Sequence, residues 1–408
     1  MSNFLPPIDP DKPPEGHLPS ALLKILNTAG ARAMLAQPLP DLGLAEHMPF
    51  PFLALVGQEE MRIALLLAVI NPNIGGVLLI GTRGTGKTTA VRSLSDLLPE
   101  IDVSDCEEGC TYEDYEKYGE AAVCSNCLEK IKRGEPLTHK SPVKLIELPL
   151  NARLEDVVGG INERVAMQQN RVRLERGILA RADQGLLYVD EVNLLDDPIV
   201  DAILDASAAG AYTVRRGAMV GTYRSRFVLI GSMNPEEGNL RPQLMDRFGL
   251  RVIVRGIMEK EERLEIYRRV SAYRTNPKAF IRQWAGVTLD ARDEIAVARD
   301  LLKRVTLASE AIDVGLNLVR AMEIDSHRAE FTLFEAARAY AAADGREQAN
   351  LSDIRAVAPL ALRQRRSDFM VQFALAQQAE DEAIRSAFDQ IAGAIESPKK
   401  SRRDGRKA

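Results

Sequence analysis

From about Phe52 the chain alternates between helical stretches and short apolar runs: Val77–Ile80, Lys144–Leu148, Leu186–Val189, Phe227–Ile230 and Leu250–Val254. Runs this short, separated by longer segments, read as strands of a parallel sheet buried on both faces and covered by crossover helices. Beyond Arg255 the β pattern stops. Leu301, Val305 and Ala308, then Leu333, Ala337 and Tyr340, repeat at helical spacing, and Asn350-Leu-Ser-Asp353 reads as a helix start. The pattern predicts an α/β fold, a parallel sheet sandwiched by helices over 51–256, followed by an all-helical domain over 257–395. Ten of the 21 prolines lie in the first 51 residues, which excludes continuous helix or central strand there. Residues 1–50 therefore read as an extended arm around one short helix near Leu22–Leu35.

The 408 residues leave room for two or three domains, and a 46% hydrophobic share excludes a disordered chain. The longest apolar run, Ile63–Ile70, falls far short of the roughly 20 residues that span a bilayer, so no transmembrane segment is expected. The N-terminus lacks the basic and apolar regions of a secretory signal, so a cytoplasmic location is expected, or the plastid stroma in a phototrophic eukaryote. The net charge of -5 argues against non-specific nucleic-acid binding. That average hides two blocks. Glu100–Glu120 holds nine acids and one lysine, whereas 399–408 holds six bases and one acid and reads as a solvated, disordered tail from residue 396.

Gly81-Thr82-Arg83-Gly84-Thr85-Gly86-Lys87-Thr88 fits GxxxxGK[ST], directly after an apolar strand and before a helix expected over Thr88–Leu98. Glycines let backbone N–H groups turn toward a phosphate, the helix N-terminus adds a positive dipole end, Lys87 neutralises phosphate oxygens and the Thr88 hydroxyl ligates Mg²⁺. Leu186-Leu-Tyr-Val-Asp190-Glu191 ends a strand on two carboxylates, at the edge where ligands of parallel sheets bind. Asp190 is expected to hold Mg²⁺ through water and Glu191 to polarise the attacking water. The next strand ends at Asn234, and Arg241 and Arg247 follow on a short helical stretch.

That order resembles the AAA+ ATPases. The segments Pro51-Phe-Leu-Ala-Leu-Val56-Gly57-Gln58-Glu59, Tyr188-Val-Asp-Glu-Val-Asn-Leu195, Asn234-Pro-Glu-Glu-Gly238 and Arg241-Pro-Gln-Leu-Met-Asp-Arg-Phe-Gly-Leu250 are similar to the ATPase (I) subunit of magnesium chelatase. The resemblance runs from about Pro51 to Ile395. It implies a P-loop AAA+ sheet with a helical sensor 2 domain. Lys87 and Thr88 match Walker A, Asp190 and Glu191 Walker B, and Asn234 sensor 1. Arg247 matches the arginine finger that reaches a neighbouring subunit, with Arg241 a second cationic candidate, and Arg328 matches sensor 2. Val56, Gly57 and Gln58 sit where related proteins contact adenine. The implied activity is ATP hydrolysis in a homo-oligomeric ring, expected to be a hexamer. It would be coupled through an integrin-like D subunit to a porphyrin-binding H subunit that inserts Mg²⁺ into protoporphyrin IX during (bacterio)chlorophyll biosynthesis. A cobaltochelatase-type subunit or a MoxR-like chaperone for metalloenzymes is the alternative. A DNA-associated clamp loader is disfavoured by the acid-rich body.

Two insertions stand apart. Asn151–Leu174, with a Gly159-Gly160 turn and alternation through Arg171-Val-Arg-Leu174, reads as a hairpin insertion or an ordinary surface loop. Cys106, Cys110, Cys124 and Cys127 are all the cysteines of the chain. Three readings stay open for them: a Cys₄ zinc site, a redox-sensitive pair, or unliganded thiols. The spacing of Tyr112, Tyr115 and Tyr118 suggests a packed helix beside them, and His139 is expected on an exposed loop. Members of the resembled family do not as a rule carry such a cysteine set.

Overall fold

A computed structural model describes residues 48–366 except 107–108, 162–173, 218 and 239, and beyond them residues 377, 380–382 and 384–388. The arm up to residue 47 with its expected helix, the middle of the 151–174 insertion and the basic tail lie outside the described residues.

Five strands form the central sheet: β1 (Val77–Ile80), β2 (Leu145–Leu148), β3 (Leu186–Val189), β4 (Val228–Met233) and β5 (Leu250–Ile253). They lie in the order β5-β1-β4-β3-β2 and every pairing is parallel. Alternate side chains leave on opposite faces, which explains two separate cores. Val77, Leu79, Tyr188, Ile230 and Val252 pack with the helices Glu59–Ile70 and Lys87–Leu94. Leu78, Ile80, Leu187, Val189 and Leu229 pack with Ile178–Arg181 and Asp197–Ala209. Both faces are covered, so most strand positions are apolar, with Glu147, Ser232 and Arg251 the polar exceptions.

Among the described residues up to 366, the C-terminal region has five helices, Lys260–Thr275, Pro277–Leu302, Ser309–Ala321, Arg328–Ala343 and Leu351–Leu362. Their core, including Trp284, Ile295, Leu333 and Val357, is continuous with the first face of the sheet. Buried Asn71 donates to the Glu335 carboxylate at 2.7 Å, and Arg299 donates to the Val69 carbonyl at 3.0 Å, so the lid is tied to the helix beneath it. Asn350 and Asp353 form a capping box at the expected helix start. Two expectations need correction. Thr306–Leu307 and Gln348–Ala349 form a small parallel pair, so the region is not wholly helical, and Val305 and Ala308 lie between helices rather than on one.

Gly159 and Gly160 are strand residues, not a turn: Gly159–Ile161, after the helix Leu154–Val158, pairs antiparallel with Leu174–Arg176. Residues 171–173 of the predicted alternation lie outside the described residues. A hairpin, Ala211–Arg216 with Met219–Arg224, is absent from the sequence expectations. The cysteine-bearing insertion is closed at its base by Ile101–Ser104 paired with Thr138–Ser141. His139 is therefore a strand residue rather than a loop residue. It is exposed and hydrogen-bonded to Asp105 at 2.7 Å. The helix Tyr112–Tyr118 exists, but Tyr112 and Tyr118 are exposed and its only buried residue is Asp114, so it is not packed through its tyrosines. Among the described residues no helix is long and apolar enough to cross a membrane.

Candidate functional site

β1 ends at Ile80 and the chain turns through Gly81–Gly86 into the helix Lys87–Leu94. Gly81 packs so tightly that a Cβ there would lie 2.1 Å from the Val254 carbonyl oxygen. Gly84 and Gly86 take φ of +80° and +86°, a conformation L side chains rarely adopt, and a Cβ on either would meet nothing within 4 Å. The glycines thus serve two purposes, close packing at the root of the loop and a left-handed, open mouth. The first helical main-chain bond is Ala90 N–H to Gly86 O at 2.9 Å, which leaves the N–H groups of Gly86 to Thr89 without intrahelical acceptors. Lys87 folds back and donates to the Gly81 and Thr82 carbonyls at 2.7 and 2.8 Å. Burial pulls its pKa below the usual lysine range, against the raising effect of Asp190, Glu191 and Glu237.

At the end of β3, Asp190 is held from three sides. Tyr188 donates to it at 2.8 Å, Ser232 donates to the same oxygen, and the Thr88 hydroxyl lies 3.5 Å from the other. Burial pushes the Tyr188 phenol pKa well up, so it stays a donor. Glu191 follows with φ of 49°, a left-handed conformation uncommon outside glycine, and its N–H donates to Ser232 Oγ at 3.1 Å. The Glu191 carboxylate is paired with Arg83 at 3.1 Å, and Arg83 also reaches Glu237 at 2.5 Å. Asn234, at the end of β4, is buried, and its side-chain oxygen accepts from the Glu236 N–H. Arg83 to Thr88, Asp190, Glu191, Ser232 and Asn234 line one cavity of about 300 Å³.

A larger cavity of about 850 Å³ adjoins it and shares Gly84, Thr85 and Gly86. Val56 and Gln58 line this second space, together with apolar Ile257 and Val270. Gly57 does not line it; its backbone packs against the Ile257 side chain at a φ of +60°. Gln58 donates to the Arg255 carbonyl at 2.6 Å. The arrangement offers a polar, cation-bearing pocket joined to an apolar one, as a phosphate tail and a base require.

The predicted arginines fall elsewhere. Arg241 pairs with Asp197, outside the cavity around Lys87. Arg247 pairs with Asp205 and lies 3.9 Å from Asp201 on the helix Asp197–Ala209. The register Val77↔Leu250 puts residues 247–249 beyond the N-terminal end of β1, and the Arg247 carbonyl lies beside Gly75. From Gly75 to Gly81 the extended chain runs about 20 Å, so Arg247 sits at the opposite edge of the sheet from Lys87. Arg328 is exposed at the start of the helix Arg328–Ala343. Two residues before it, Ser326 donates to Asp246 at 2.7 Å, so Arg328 belongs to the same edge as Arg247. Lys87, Thr88, Asp190, Glu191 and Asn234 come together; Arg241, Arg247 and Arg328 do not join them within one chain.

The reading of the sequence missed Tyr188, Ser232 and Glu237. Period two along the strands carries the signal for two of them, because Tyr188 shares a face with Asp190, and Ser232 with Asn234. The four cysteine sulfurs also come together, all within 4.8 Å of one another, in the insertion closed by Ile101–Ser104.

A family model described as magnesium chelatase, subunit ChlI, matches residues 163–246, and one described as an AAA lid domain matches 316–387. The chain is 42% identical over 322 residues to a magnesium-chelatase subunit ChlI homolog of Methanocaldococcus jannaschii, covering 78% of this chain and 87% of that protein. It is 41% identical over 336 residues to the magnesium-chelatase 38 kDa subunit of Rhodobacter capsulatus, covering 81% and 92%. Among solved structures, a complex of subunits BchI and BchD of magnesium chelatase, built on a cryo-electron-microscopy reconstruction, aligns with TM-score 0.44 and 38% identity over 80% of this chain and 99% of that one.

Proposed function

The chain belongs to the magnesium-chelatase subunit ChlI family of AAA+ ATPases, and from that premise we propose that it is the ATP-hydrolysing motor subunit of a magnesium chelatase. The observation that carries this reading is the division of charged groups between the two edges of one sheet. A phosphate loop, two carboxylates and a polar amide stand at one edge; Arg247 and Arg328 stand at the other. One chain therefore supplies half of two sites, and a closed ring of copies completes each of them. A hexamer satisfies this, with Arg247 and Arg328 acting on the nucleotide of the next subunit.

The residues present fit Mg-ATP. The N–H groups without helical acceptors at the open mouth of Gly84 and Gly86, Lys87 and the Thr88–Asp190 pair supply backbone donors, a cation and oxygen ligands. Val56 and Gln58 border the space for the base, with Gly57 shaping the backbone between them. When bound, Mg²⁺ neutralises charge on the phosphates. Thr88 and, through water, Asp190 would hold it. Lys87 exchanges its two carbonyl partners for phosphate oxygens, which costs little because carbonyl and phosphate are both acceptors. Glu191 accepts a hydrogen bond from the attacking water and orients it, a role open to it once Arg83 lets go. Asn234 steadies the same water or the terminal phosphate, and the neighbour's Arg247 supplies positive charge where the transition state becomes more negative.

Energy from hydrolysis would drive insertion of Mg²⁺ into protoporphyrin IX on a porphyrin-binding H subunit, through an integrin-like D subunit. The 41–42% identity over most of both chains favours this reading over a cobaltochelatase-type or MoxR-like role. Beside ATP and Mg²⁺, the cysteine cluster is read as holding Zn²⁺ for structure, apart from the hydrolytic site. Glu191→Gln tests the ATPase assignment: it is expected to abolish turnover while nucleotide binding persists, and undiminished hydrolysis would refute the role of Glu191.

A further inference from the structure

We infer that Cys106, Cys110, Cys124 and Cys127 bind one structural Zn²⁺, and that this ion clasps the insertion 101–141 onto the hairpin Ala211–Arg216/Met219–Arg224 through Asp114 and Arg224. The clasp rests on the zinc reading and is independent of the ATPase assignment.

The geometry is that of a tetrahedral thiolate site. Four sulfurs at about 2.3 Å from one tetrahedral Zn²⁺ stand about 3.8 Å apart. Here Cys106 Sγ lies 3.8 Å from Cys110 Sγ and 3.6 Å from Cys124 Sγ, and all four sulfurs fall within 4.8 Å of one another. Two loops present them. Cys106 and Cys110 flank a turn in which Gly109 takes φ of +73°. Cys124 caps the helix Ser125–Arg133, and Cys127 lies in its first turn. Main-chain N–H groups already aim at sulfur, Cys124 N to Cys110 Sγ at 3.2 Å and Cys127 N to Cys124 Sγ at 3.5 Å, as metal-bound thiolates require of their surroundings. Zn²⁺ entering such a set displaces the thiol protons to solvent.

The insertion also needs the ion. Among the described residues its buried apolar cluster is Cys110, Cys127 and Leu137, with Val123 and Ile131 partly buried against it, too little to hold two helices and a strand pair. A structural metal is the usual remedy for so small a core.

The clasp follows from what adjoins the ligands. Thr111, next to Cys110, forms a reciprocal capping box with Asp114. Asp114 is buried and pairs with Arg224 of the hairpin. On the other side of the same loop, Arg176 of the strand Leu174–Arg176 lies 3.6 Å from where a Gly109 Cβ would be. Fixing Cys110 therefore fixes Thr111 and Asp114, and with them the anchor point of Arg224.

The test uses the full-length purified protein without nucleotide. Elemental analysis should find about one zinc per chain, and Co²⁺ exchanged into the site should show the visible bands of a tetrahedral thiolate complex. Stripping the metal with a mercurial and chelator should speed hydrogen exchange in 211–224 about tenfold or more, as expected when a local anchor is lost. Asp114→Asn should keep the zinc yet reproduce the faster exchange. Zinc well below one per chain, with no cobalt bands, overturns the metal site and the clasp together. Full zinc with wild-type exchange of 211–224 in Asp114→Asn overturns the clasp and leaves the metal site standing.

Discussion

Arg365 donates to the Asp246 carboxylate at 2.6 Å across 119 residues of chain, joining the segment that follows the helix Leu351–Leu362 to the residue beside Arg247. Arg365 is fully buried, and it also donates to the main-chain carbonyls of Phe248 and Gly249 at 3.1 and 2.9 Å. Ser326 holds the second Asp246 oxygen, and buried Arg251 approaches the first at 3.5 Å. The Arg251 pKa is brought down to about 10, by burial first and by the Arg365 charge second, with Asp246 opposing. One carboxylate thus balances two buried guanidinium groups and fixes the lid against the loop that carries Arg247.

Asp246→Asn removes the nearest counter-charge of both buried guanidinium groups, leaving Arg365 only the weaker influence of Glu330, which costs about 3 kcal/mol, at the low end for breaking a buried pair because Asp246 is partly exposed. With about 2.1 cal/mol/K of unfolding entropy per residue, that corresponds in a chain of 408 residues to a fall in Tm of roughly 3–4 °C. ATPase activity should fall further than stability explains, because Arg247 loses its support. Calorimetry and hydrolysis assays on the variant check both parts, and a wild-type Tm contradicts the balance described.

Arg247→Ala should reduce hydrolysis about a thousandfold, in the range for loss of an arginine finger, with ATP affinity little changed. Because Arg247 stands at the opposite edge from Lys87, the defect should be complemented between chains. Mixing inactive Arg247→Ala with inactive Lys87→Ala should restore measurable hydrolysis, since some interfaces pair an intact phosphate loop with an intact arginine. Arg328→Ala should behave alike in the same mixture. A mixture as inactive as its components would place these arginines in their own chain's site.

Arg83 holds Glu191 and Glu237 at once, so the carboxylate proposed to orient water is engaged in the conformation described. Arg83 is exposed, and such pairs are worth about 1 kcal/mol or less. Arg83→Ala should therefore leave Tm unchanged while raising basal ATP hydrolysis roughly two- to fivefold, the factor that such an energy commands. A drop in basal rate at unchanged ATP affinity would show that Arg83 assists hydrolysis rather than restraining it.

Tyr188→Phe removes one donor from Asp190 and leaves Ser232 and Thr88 in place. Loss of a hydrogen bond to a charged group costs about 1.5–3 kcal/mol. The expected result is a tenfold or greater rise in the Mg²⁺ concentration needed for half-maximal hydrolysis, with maximal rate nearly kept. An unchanged Mg²⁺ requirement would remove Tyr188 from the site.

What was legible in the sequence was what is local. The phosphate loop, Asp190–Glu191 and the five strands are written in contiguous residues, and β1 at Val77–Ile80 falls where the apolar run puts it. The Asn350 cap is equally local. The hairpin Ala211–Arg224 escaped because, among its described residues, Val214 is the only buried apolar side chain, so it lacks a strong alternating face. The hold of Arg365 on Asp246, and that of Arg224 on Asp114, join residues more than a hundred positions apart, and no period or motif reports such a pairing. The cysteine spacing left a zinc site, a redox pair and unliganded thiols open, because the first pair is wider than a tight knuckle, and only the fold shows the four sulfurs within 4.8 Å of one another.

The most direct test of the motor assignment is ATP-dependent metal insertion. The purified chain is combined with D and H partner subunits shown to be active with a known I subunit, then given Mg²⁺, ATP and protoporphyrin IX, and the porphyrin fluorescence is followed. The account predicts conversion to the Mg²⁺ porphyrin that requires both this chain and ATP and is lost with Glu191→Gln. ATP hydrolysis without any insertion, with those partners competent, would contradict it.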